Sequence, residues 1–368
     1  MPSEGGKEAF FKARNAILNE LHVAYRVPRI ELNTLHPSPV RRVGEGKYAD
    51  VFEVALWTFG KSIEPAQEMP TAGVVAVKIL KEEKIDQLMA LPEIPSSRKA
   101  KRDDRQKRYQ EKVQRRAVKL LEYYKRECVV WQRCSGDPAK ARENNFVELL
   151  GLVESYQNSR LPVFVSRFIS EGSVHSYIKD RSKPSLSDKD RILIISDVAK
   201  ALAFLHNIGT VHRDIKARNV LIERTEERYI GLLADFGASK VLEEVFLQTA
   251  SSTISQDRWS PPEYLLEVSA QHEETGGGDI WALGCTFLEV LQEQEPWQPY
   301  PSETYKVLLC DYRHPVAGES VDLESKLRFR HVEDKCYDIM KKCWTEERQN
   351  RIAAGGLYLE LRRLAETC

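Results

Sequence analysis

The apolar pattern of the chain changes once, near Gly172. Over residues 40–80, β-branched residues alternate with turns, which predicts an antiparallel sheet with a long hairpin loop at residues 60–73. After Gly172, apolar residues recur every three or four positions and predict helices. The predicted helices are residues 191–205, 279–292 and 335–344, and short strands are predicted at 220–222 and 232–234. The sequence therefore predicts an α+β fold in which a small β-rich lobe precedes a larger helical lobe.

Charge is balanced over the whole chain but not along it. Lysine and arginine together number 55, as do aspartate and glutamate, so net charge does not point to nucleic acid or a membrane surface. Residues 96–126, however, contain thirteen Lys or Arg and four Asp or Glu. The apolar stripe of this segment is Val113, Ala117, Leu120, Tyr124, Cys128 and Trp131. We interpret it as a helix with a solvated basic face; docking of an acidic regulator or anionic lipid is the alternative, and no nucleic acid is expected because aromatic residues are not interleaved.

The compartment is indicated by what the sequence lacks. The N-terminal residues have no apolar signal core, and no apolar run approaches the roughly 20 residues that cross a bilayer. The seven cysteines are scattered without a CxxC pair, which favours a reducing compartment. We therefore expect an intracellular, soluble protein without a transmembrane segment, most simply a cytoplasmic one.

The stretch from His212 to Asn219 combines an aspartate, a lysine and an asparagine at a spacing that suits phosphoryl transfer. Asp214 can orient an attacking hydroxyl and accept its proton, and Lys216 can offset charge on the moving phosphoryl group. Asn219 offers an amide oxygen to Mg²⁺. Each of these residues also occurs in ordinary loops, so the stretch gains its value from the motifs around it.

Three further motifs accompany this stretch in a compatible order. Gly44 and Gly46 belong to a Gly-x-Gly-x-x-Ala-x-Val pattern, in which missing side chains let backbone N–H groups approach phosphate oxygens. Lys78 ends an apolar strand and needs anionic partners, for which nucleotide phosphates and the helix carboxylate of Glu127 are the candidates. Asp235, in Asp-Phe-Gly, is predicted to be the second Mg²⁺ ligand.

With these motifs in this order, the chain resembles the eukaryotic protein kinase family over roughly residues 35–364. The resemblance implies a bilobal protein kinase fold, the cofactors ATP and Mg²⁺, and a protein substrate. It extends to a Ser-Pro-Pro-Glu motif ending at Glu263, similar to the family's Ala-Pro-Glu, and to an Asp-x-Trp-x-x-Gly helix start at Asp279. Arg351 is implied to pair with Glu263.

The resemblance also implies two groups of residues around the nucleotide. The backbone of residues 167–169, which include Phe168, is implied to bind adenine, with Ser166 as the gatekeeper before it. The residues implied to sandwich the adenine ring are Val51, Ala76 and Leu221. The residues implied to form a regulatory hydrophobic stack, anchored at Asp279, are Trp131, Leu149, His212 and Phe236. Because Trp131 is bulkier than the residue usual at its position, its helix is expected to sit unusually far out.

The residues around Asp214 also bear on the hydroxyl that would be phosphorylated. Lys216 is typical of serine/threonine kinases, whereas Ala217-Arg218-Asn219 and Arg258-Trp259 resemble tyrosine kinases. This mixture resembles the tyrosine-kinase-like branch, and we favour Ser/Thr because Lys216 contacts the transferring phosphate. A dual-specificity or tyrosine kinase is one alternative, and a pseudokinase scaffold without efficient transfer is another.

Regulation is implied by Arg213, because in the family an arginine at this place binds a phosphate on the activation segment. The hydroxyl residues of that segment are Thr249, Ser251, Ser252, Thr253 and Ser255. A phosphate there adds about −1.5 to −2 charge and can order the segment against Arg213. A plain flexible Ser/Thr loop is the alternative.

The domain organisation follows from these landmarks. The predicted parts are an N-terminal helical extension at residues 1–34 and a kinase domain at 35–366, with an N-lobe at 35–168 and a C-lobe at 169–366. In the extension, residues 7–25 predict an amphipathic helix, which we interpret as packed on the following domain rather than on a partner. Lys78 and Glu127 lie 49 positions apart, and a basic insertion at about 84–115 fills this unusually long connection. We hypothesise that it docks a regulator or substrate.

Overall fold

A computed structural model describes the chain in eleven stretches. They are residues 4–31, 35–36, 38–45, 49–56, 73–81, 102–157, 159–241, 258–266, 276–298, 300–310 and 331–368. The chain divides into two compact units. The first consists of residues 1–138 and 148–168, and the second of residues 139–147 and 169–368.

The first unit contains two long helices and a five-stranded sheet. Its elements are α1 (Glu4–Val23), β1 (Arg41–Glu45), β2 (Ala49–Ala55), β3 (Val74–Leu80), α2 (Arg102–Ser135), β4 (Leu149–Val153) and β5 (Val163–Arg167). The strands pair in the order β1-β2-β3-β5-β4, and every neighbouring pair is antiparallel. The antiparallel sheet predicted over residues 40–80 is confirmed. Of its predicted hairpin loop, residues 60–72 lie outside the described residues.

The two faces of this sheet differ in their environment. Val75 and Val77 of β3 are fully buried in an apolar cluster on one face, together with Val54 of β2. Side chains alternate along a strand, so Ala76 and Lys78 lie on the opposite face. That face carries residues predicted to contact a nucleotide.

The apolar stripe predicted across the basic segment lies on helix α2. Leu120, Tyr124, Cys128 and Trp131 are all buried, while the side chains of Val113 and Ala117 lie outside the description. The ring of Tyr124 stacks on Phe164 of β5 with centroids 4.7 Å apart. The stripe therefore fastens α2 to the sheet.

The second unit is mainly helical. Its helices are α3 (Pro138–Glu143, whose first residue belongs to the first unit), α4 (Val174–Lys179), α5 (Asp188–Asn207), α6 (Glu263–Leu266), α7 (Gly277–Gln292), α8 (Ser302–Cys310), α9 (His331–Cys343) and α10 (Ala354–Ala365). Its strands are β6 (Thr210–Val211), β7 (Val220–Arg224), β8 (Tyr229–Leu233) and β9 (Lys240–Val241), paired as β6-β9 and β7-β8. The three helices and two strands predicted here are confirmed as α5, α7, α9, β7 and β8.

Local chemistry explains where α5 begins. Ser187 precedes the helix in an extended conformation, and its hydroxyl accepts a hydrogen bond from Asp190 N at 3.1 Å. The Asp190 carboxylate in turn accepts from Ser187 N at 3.1 Å. This reciprocal cap satisfies two N–H groups that the first turn would otherwise leave unpaired.

Within the stretches that the structure describes, no helix is both long enough and apolar enough to span a membrane.

Candidate active site

The polar residues predicted for phosphoryl transfer meet in the loop after β6. Asp214 accepts hydrogen bonds on both carboxylate oxygens, from Lys216 Nζ at 2.6 Å and from Asn219 Nδ2 at 2.8 Å. Asn219 Nδ2 also donates to the Asp214 backbone oxygen at 2.7 Å. The structure thus brings together three residues that the sequence selected by spacing, with the carboxylate at their centre.

Asp279, at the start of α7, holds the beginning of this loop. Its carboxylate accepts from the backbone N–H groups of His212 at 2.8 Å and Arg213 at 2.7 Å, and His206 Nε2 lies 2.9 Å away. Burial alone would raise the pKa of Asp279, but the hydrogen bonds from His206 and from the His212 backbone hold that pKa below its usual value. Arg213 has φ 70°, a left-handed conformation that these bonds stabilise.

His212 connects the loop to the Asp-Phe-Gly motif. Its Nδ1 accepts from Asp214 N at 3.3 Å, and its Nε2 lies 3.2 Å from the carbonyl oxygen of Ala234. Since a carbonyl only accepts, the imidazole proton resides on Nε2. Burial lowers the pKa of His212, which keeps the ring neutral, and the ring packs 5.6 Å from that of Phe236.

The residues predicted to hold a divalent cation are Asn219 and Asp235. Because Asn219 Nδ2 faces the two Asp214 oxygens, its amide oxygen is the atom turned away from them. The backbone oxygen of Asn219 accepts from Ala234 N at 2.9 Å, which ties the residue before Asp235 to the loop. Asp235 itself has φ 64° and accepts from Gly237 N at 3.3 Å. An amide oxygen and a half-buried carboxylate fit Mg²⁺, which prefers hard oxygen ligands.

In the first unit, Lys78 and Glu127 form an ion pair. Lys78 Nζ lies 2.5 Å from Glu127 Oε1, and the two side chains are 13% and 10% exposed. The pair joins β3 to α2. The outward displacement of this helix expected from the bulk of Trp131 does not occur, because the indole is buried beside Phe164, with ring centroids 5.8 Å apart.

The predicted phosphate and adenine residues of the first unit lie along one face of the sheet. Gly44 pairs with Val51, and Val51 pairs with Lys78 across β1, β2 and β3. A Cβ on Gly44 would lie 3.3 Å from that of Val51, so a larger residue would crowd Val51. Ala76 pairs with Ser166, which is buried in β5.

The remaining predicted nucleotide residues are Phe168, Leu221 and Gly46. Phe168 is half-buried at the end of the first unit, and Leu221 is half-buried in β7 of the second. Gly46 lies outside the described residues. In the predicted regulatory stack, Trp131 and Leu149 are buried in the first unit, and His212 and Phe236 are buried in the second.

The pairing predicted between Arg351 and Glu263 is confirmed. Two parallel hydrogen bonds join the guanidinium to the carboxylate, at 2.7 and 2.9 Å. Arg351 also donates to the carbonyl oxygens of Gly277 and Thr345 and lies 5.0 Å from the Trp281 ring. This buried network fastens the residues after the activation segment to the start of α7.

Sequence reasoning missed one buried carboxylate next to the loop. Glu289 of α7 is 1% exposed, and it accepts from Ala217 N at 3.1 Å and Trp259 Nε1 at 3.0 Å. His175 Nδ1 lies 3.0 Å from its other oxygen. Glu289 therefore connects the loop that contains Asp214 to the residues before Glu263. A single acid in an otherwise apolar helical run was the signal that could have revealed it.

Comparison with known proteins supports the same assignment. The family described as "Protein kinase domain" matches residues 99–358. A probable LIM domain-containing serine/threonine-protein kinase of Dictyostelium discoideum is 27% identical over 248 residues, covering 67% of this chain and 34% of that protein. Mitogen-activated protein kinase kinase kinase 3 of Arabidopsis thaliana is 29% identical over 213 residues, covering 57% of this chain and 29% of that protein.

A third relative, a probable serine/threonine-protein kinase of Dictyostelium discoideum, is 32% identical over 176 residues, which cover 48% of this chain and 33% of that protein. The chain thus spans about a third of the length of each of these relatives. They agree with the tyrosine-kinase-like branch indicated by the loop residues. The family match covers most of the chain, and the protein belongs to the protein kinase family.

Proposed function

We propose that this protein is an active kinase that transfers the γ-phosphoryl group of ATP to Ser or Thr hydroxyls of protein substrates. The observation that carries the proposal is the arrangement around Asp214, whose carboxylate is held by Lys216 and Asn219. We further propose that residues 35–366 form the kinase domain and residues 1–34 an extension of it.

The roles that we assign follow the chemistry of each side chain. Asp214 orients the substrate hydroxyl and accepts its proton, and Lys216 offsets charge on the transferring group. Lys78, oriented by Glu127, binds phosphate oxygens of ATP. Asn219 and Asp235 are the proposed ligands for Mg²⁺, which when bound supplies positive charge to the phosphates.

The nucleotide itself is assigned to the remaining predicted residues. Backbone N–H groups near Gly44 and Gly46 approach the phosphates, and the backbone around Ser166 and Phe168 receives adenine. The side chains proposed to cover the faces of the adenine ring are Val51, Ala76 and Leu221. Val51 and Ala76 are half-buried in the sheet of the first unit, which suits a surface that a ligand would complete.

Specificity for Ser and Thr rests on Lys216. Its ammonium lies 2.6 Å from the carboxylate proposed to receive the substrate proton, which supports a role for Lys216 at the transferring phosphoryl group. The names of the serine/threonine-protein kinases among the relatives support the same choice.

The function is tested by incubating the purified chain with labelled ATP, Mg²⁺ and a generic protein substrate. We expect label on Ser and Thr in phosphoamino-acid analysis, and transfer lowered by about 10²-fold or more in Asp235→Ala because a metal-binding carboxylate is lost. Chelation of Mg²⁺ with EDTA should abolish transfer. ATP binding without transfer by the native chain would instead indicate a pseudokinase scaffold, and label on Tyr would refute the Ser/Thr assignment.

We also propose that phosphorylation of the activation segment regulates the enzyme. Arg213 directly precedes Asp214 and supplies the cation that a phosphate would pair with. We expect mass spectrometry of active protein to find phosphate between Ala238 and Trp259. An active preparation without phosphate in that interval would exclude this route of activation.

The basic insertion at about 84–115, with the basic residues that continue to residue 126, is proposed as a docking site for a regulator or an acidic part of a substrate. Its charge, thirteen cations against four anions over residues 96–126, supports electrostatic docking.

We also propose that the protein acts in the cytoplasm. Cys128 and Cys134 are buried as free thiols, which suits a reducing compartment.

A further inference from the structure

The helix α1 buries an apolar stripe against α2 in the first unit. Phe10, Ile17, Leu18 and Leu21 are between 0% and 9% exposed, at the three- and four-residue spacing of one helix face. On the other side of α1, Val23 is 71% exposed. The helix is therefore docked along α2 by the same kind of packing that builds a core.

Polar contacts hold this docked segment at two points, two helical turns apart on α2. Lys125 Nζ lies 2.7 Å from Glu20 Oε1 of α1. Gln132 Nε2 donates to the backbone oxygen of Arg26, just after α1, at 3.4 Å. Two anchors on one helix restrict its rotation as well as its position.

The contacts of α2 fall on two neighbouring faces. With 3.6 residues per turn, Tyr124, Glu127 and Trp131 lie within about 60° of one another, and this is the face that meets the sheet and Lys78. Lys125 and Gln132 lie roughly 80° to 160° around the helix from these three residues. The N-terminal segment thus supports α2 from a side that the sheet leaves uncovered.

The chain after α1 continues onto the sheet itself. Leu152 lies in β4, an edge strand of the sheet. Its N–H donates to Pro28 O at 3.0 Å, and its carbonyl oxygen accepts from Ile30 N at 2.9 Å. Gly151 permits this approach, since a Cβ there would lie 2.4 Å from Pro28 O. Ile30 packs against the apolar cluster on the sheet face opposite Lys78. One continuous segment, residues 4–30, therefore contacts both α2 and the sheet.

We propose that residues 4–30 are a positioning element for phosphoryl transfer. By fixing α2 relative to the sheet, they keep Glu127 on Lys78 without a separate protein partner, and Leu21, at the centre of the packed face, is the main positioning residue. This inference rests on the proposed kinase activity.

The test compares Leu21→Ala with Val23→Ala, a similar truncation on the exposed side of the same helix. Both are assayed in the full chain at a temperature at which circular dichroism shows every variant folded. Because Lys78 is assigned to the phosphates, we expect Leu21→Ala to raise the KM for ATP about tenfold, and Val23→Ala to change it less than about twofold. A melting temperature lowered without any change in KM or kcat would overturn the inference.

A double-mutant cycle shows whether Leu21 acts through the ion pair. In a Glu127→Gln background, Leu21→Ala should add less than about twofold to the KM for ATP, because the contact that it positions is already weakened. Effects that multiply fully in the double mutant would contradict action through Glu127.

A second variant keeps the inference testable if Leu21→Ala does not fold. Glu20→Lys places two ammonium groups together at Lys125, and we expect it to raise the KM about threefold, with recovery when Lys125→Glu restores an opposite pair. No recovery in the double variant would count against the proposal.

Failure of this inference can be told from failure of the proposed function. If the native chain transfers no phosphate, hydrogen–deuterium exchange at residues 120–132 still reports on α2. Faster exchange there in Leu21→Ala than in Val23→Ala, with weaker ATP binding by calorimetry, supports the positioning element. Equal exchange in the two variants overturns it.

Discussion

Asp214→Asn is expected to lower kcat for phosphoryl transfer by about 10³-fold, while the KM for ATP stays within about threefold of the native value. The carboxylate accepts from Lys216 and Asn219 on its two oxygens. An asparagine has one amide oxygen, so one of these donors would face an NH₂ group. The variant also loses the group proposed to receive the substrate proton, whereas the residues proposed to bind ATP are unchanged.

Steady-state kinetics with ATP and a protein substrate measure this effect. Asp338→Asn is the matched control. Asp338 is 65% exposed on α9, and its ion pair with Lys341 lies at the surface. We expect native rates from the control. A kcat for Asp214→Asn within tenfold of native would show that another group receives the proton.

Arg351→Ala is expected to lower the free energy of unfolding of the second unit by about 3–5 kcal/mol. The guanidinium side chain is fully buried and makes two hydrogen bonds to Glu263. Removing it leaves the Glu263 carboxylate buried without its cation, which costs more than the pair itself contributes. The loss also removes the contact with the Trp281 ring.

Urea unfolding followed by tryptophan fluorescence measures this loss. The control is Lys342→Ala, which breaks the ion pair between Lys342 and Glu360. Because the Lys342 side chain is 51% exposed, this change should lower the free energy of unfolding by less than about 1 kcal/mol. Arg351→Lys should fall between the two, because it keeps the charge but loses the planar fork. Equal stability of Arg351→Ala and Lys342→Ala would refute a structural role for the pair.

Much of the candidate site could be predicted because its chemistry needs particular residue types at short spacing. Asp214, Lys216 and Asn219 lie within six positions, so local backbone geometry alone brings them near one another. Glu289 could not be found in this way. It lies 72 positions from Ala217, and only the folded helix α7 brings its carboxylate to that N–H group.

The helix position around Trp131 illustrates an error of the opposite kind. The bulk of Trp131 suggested a displaced helix because the residue was compared only with the one usual at its position in the family. That comparison does not include the neighbours that surround the side chain in the fold. The tertiary structure provides room beside Phe164 of β5, where the indole is accommodated while Glu127 reaches Lys78.

The sequence by itself determined the α+β class, the antiparallel sheet and the longer helices, and it selected the candidate residues for phosphoryl transfer, because periodicity and motif spacing are local properties. Only the tertiary structure decided how α1 is used. Its amphipathic pattern favoured packing on the chain's own domain over a partner but did not establish it, since an apolar stripe does not specify what covers it. Burial of Leu21, the Lys125 contact to Glu20 and the pairing of Pro28 with Leu152 assign that stripe to α2 and the following residues to the sheet.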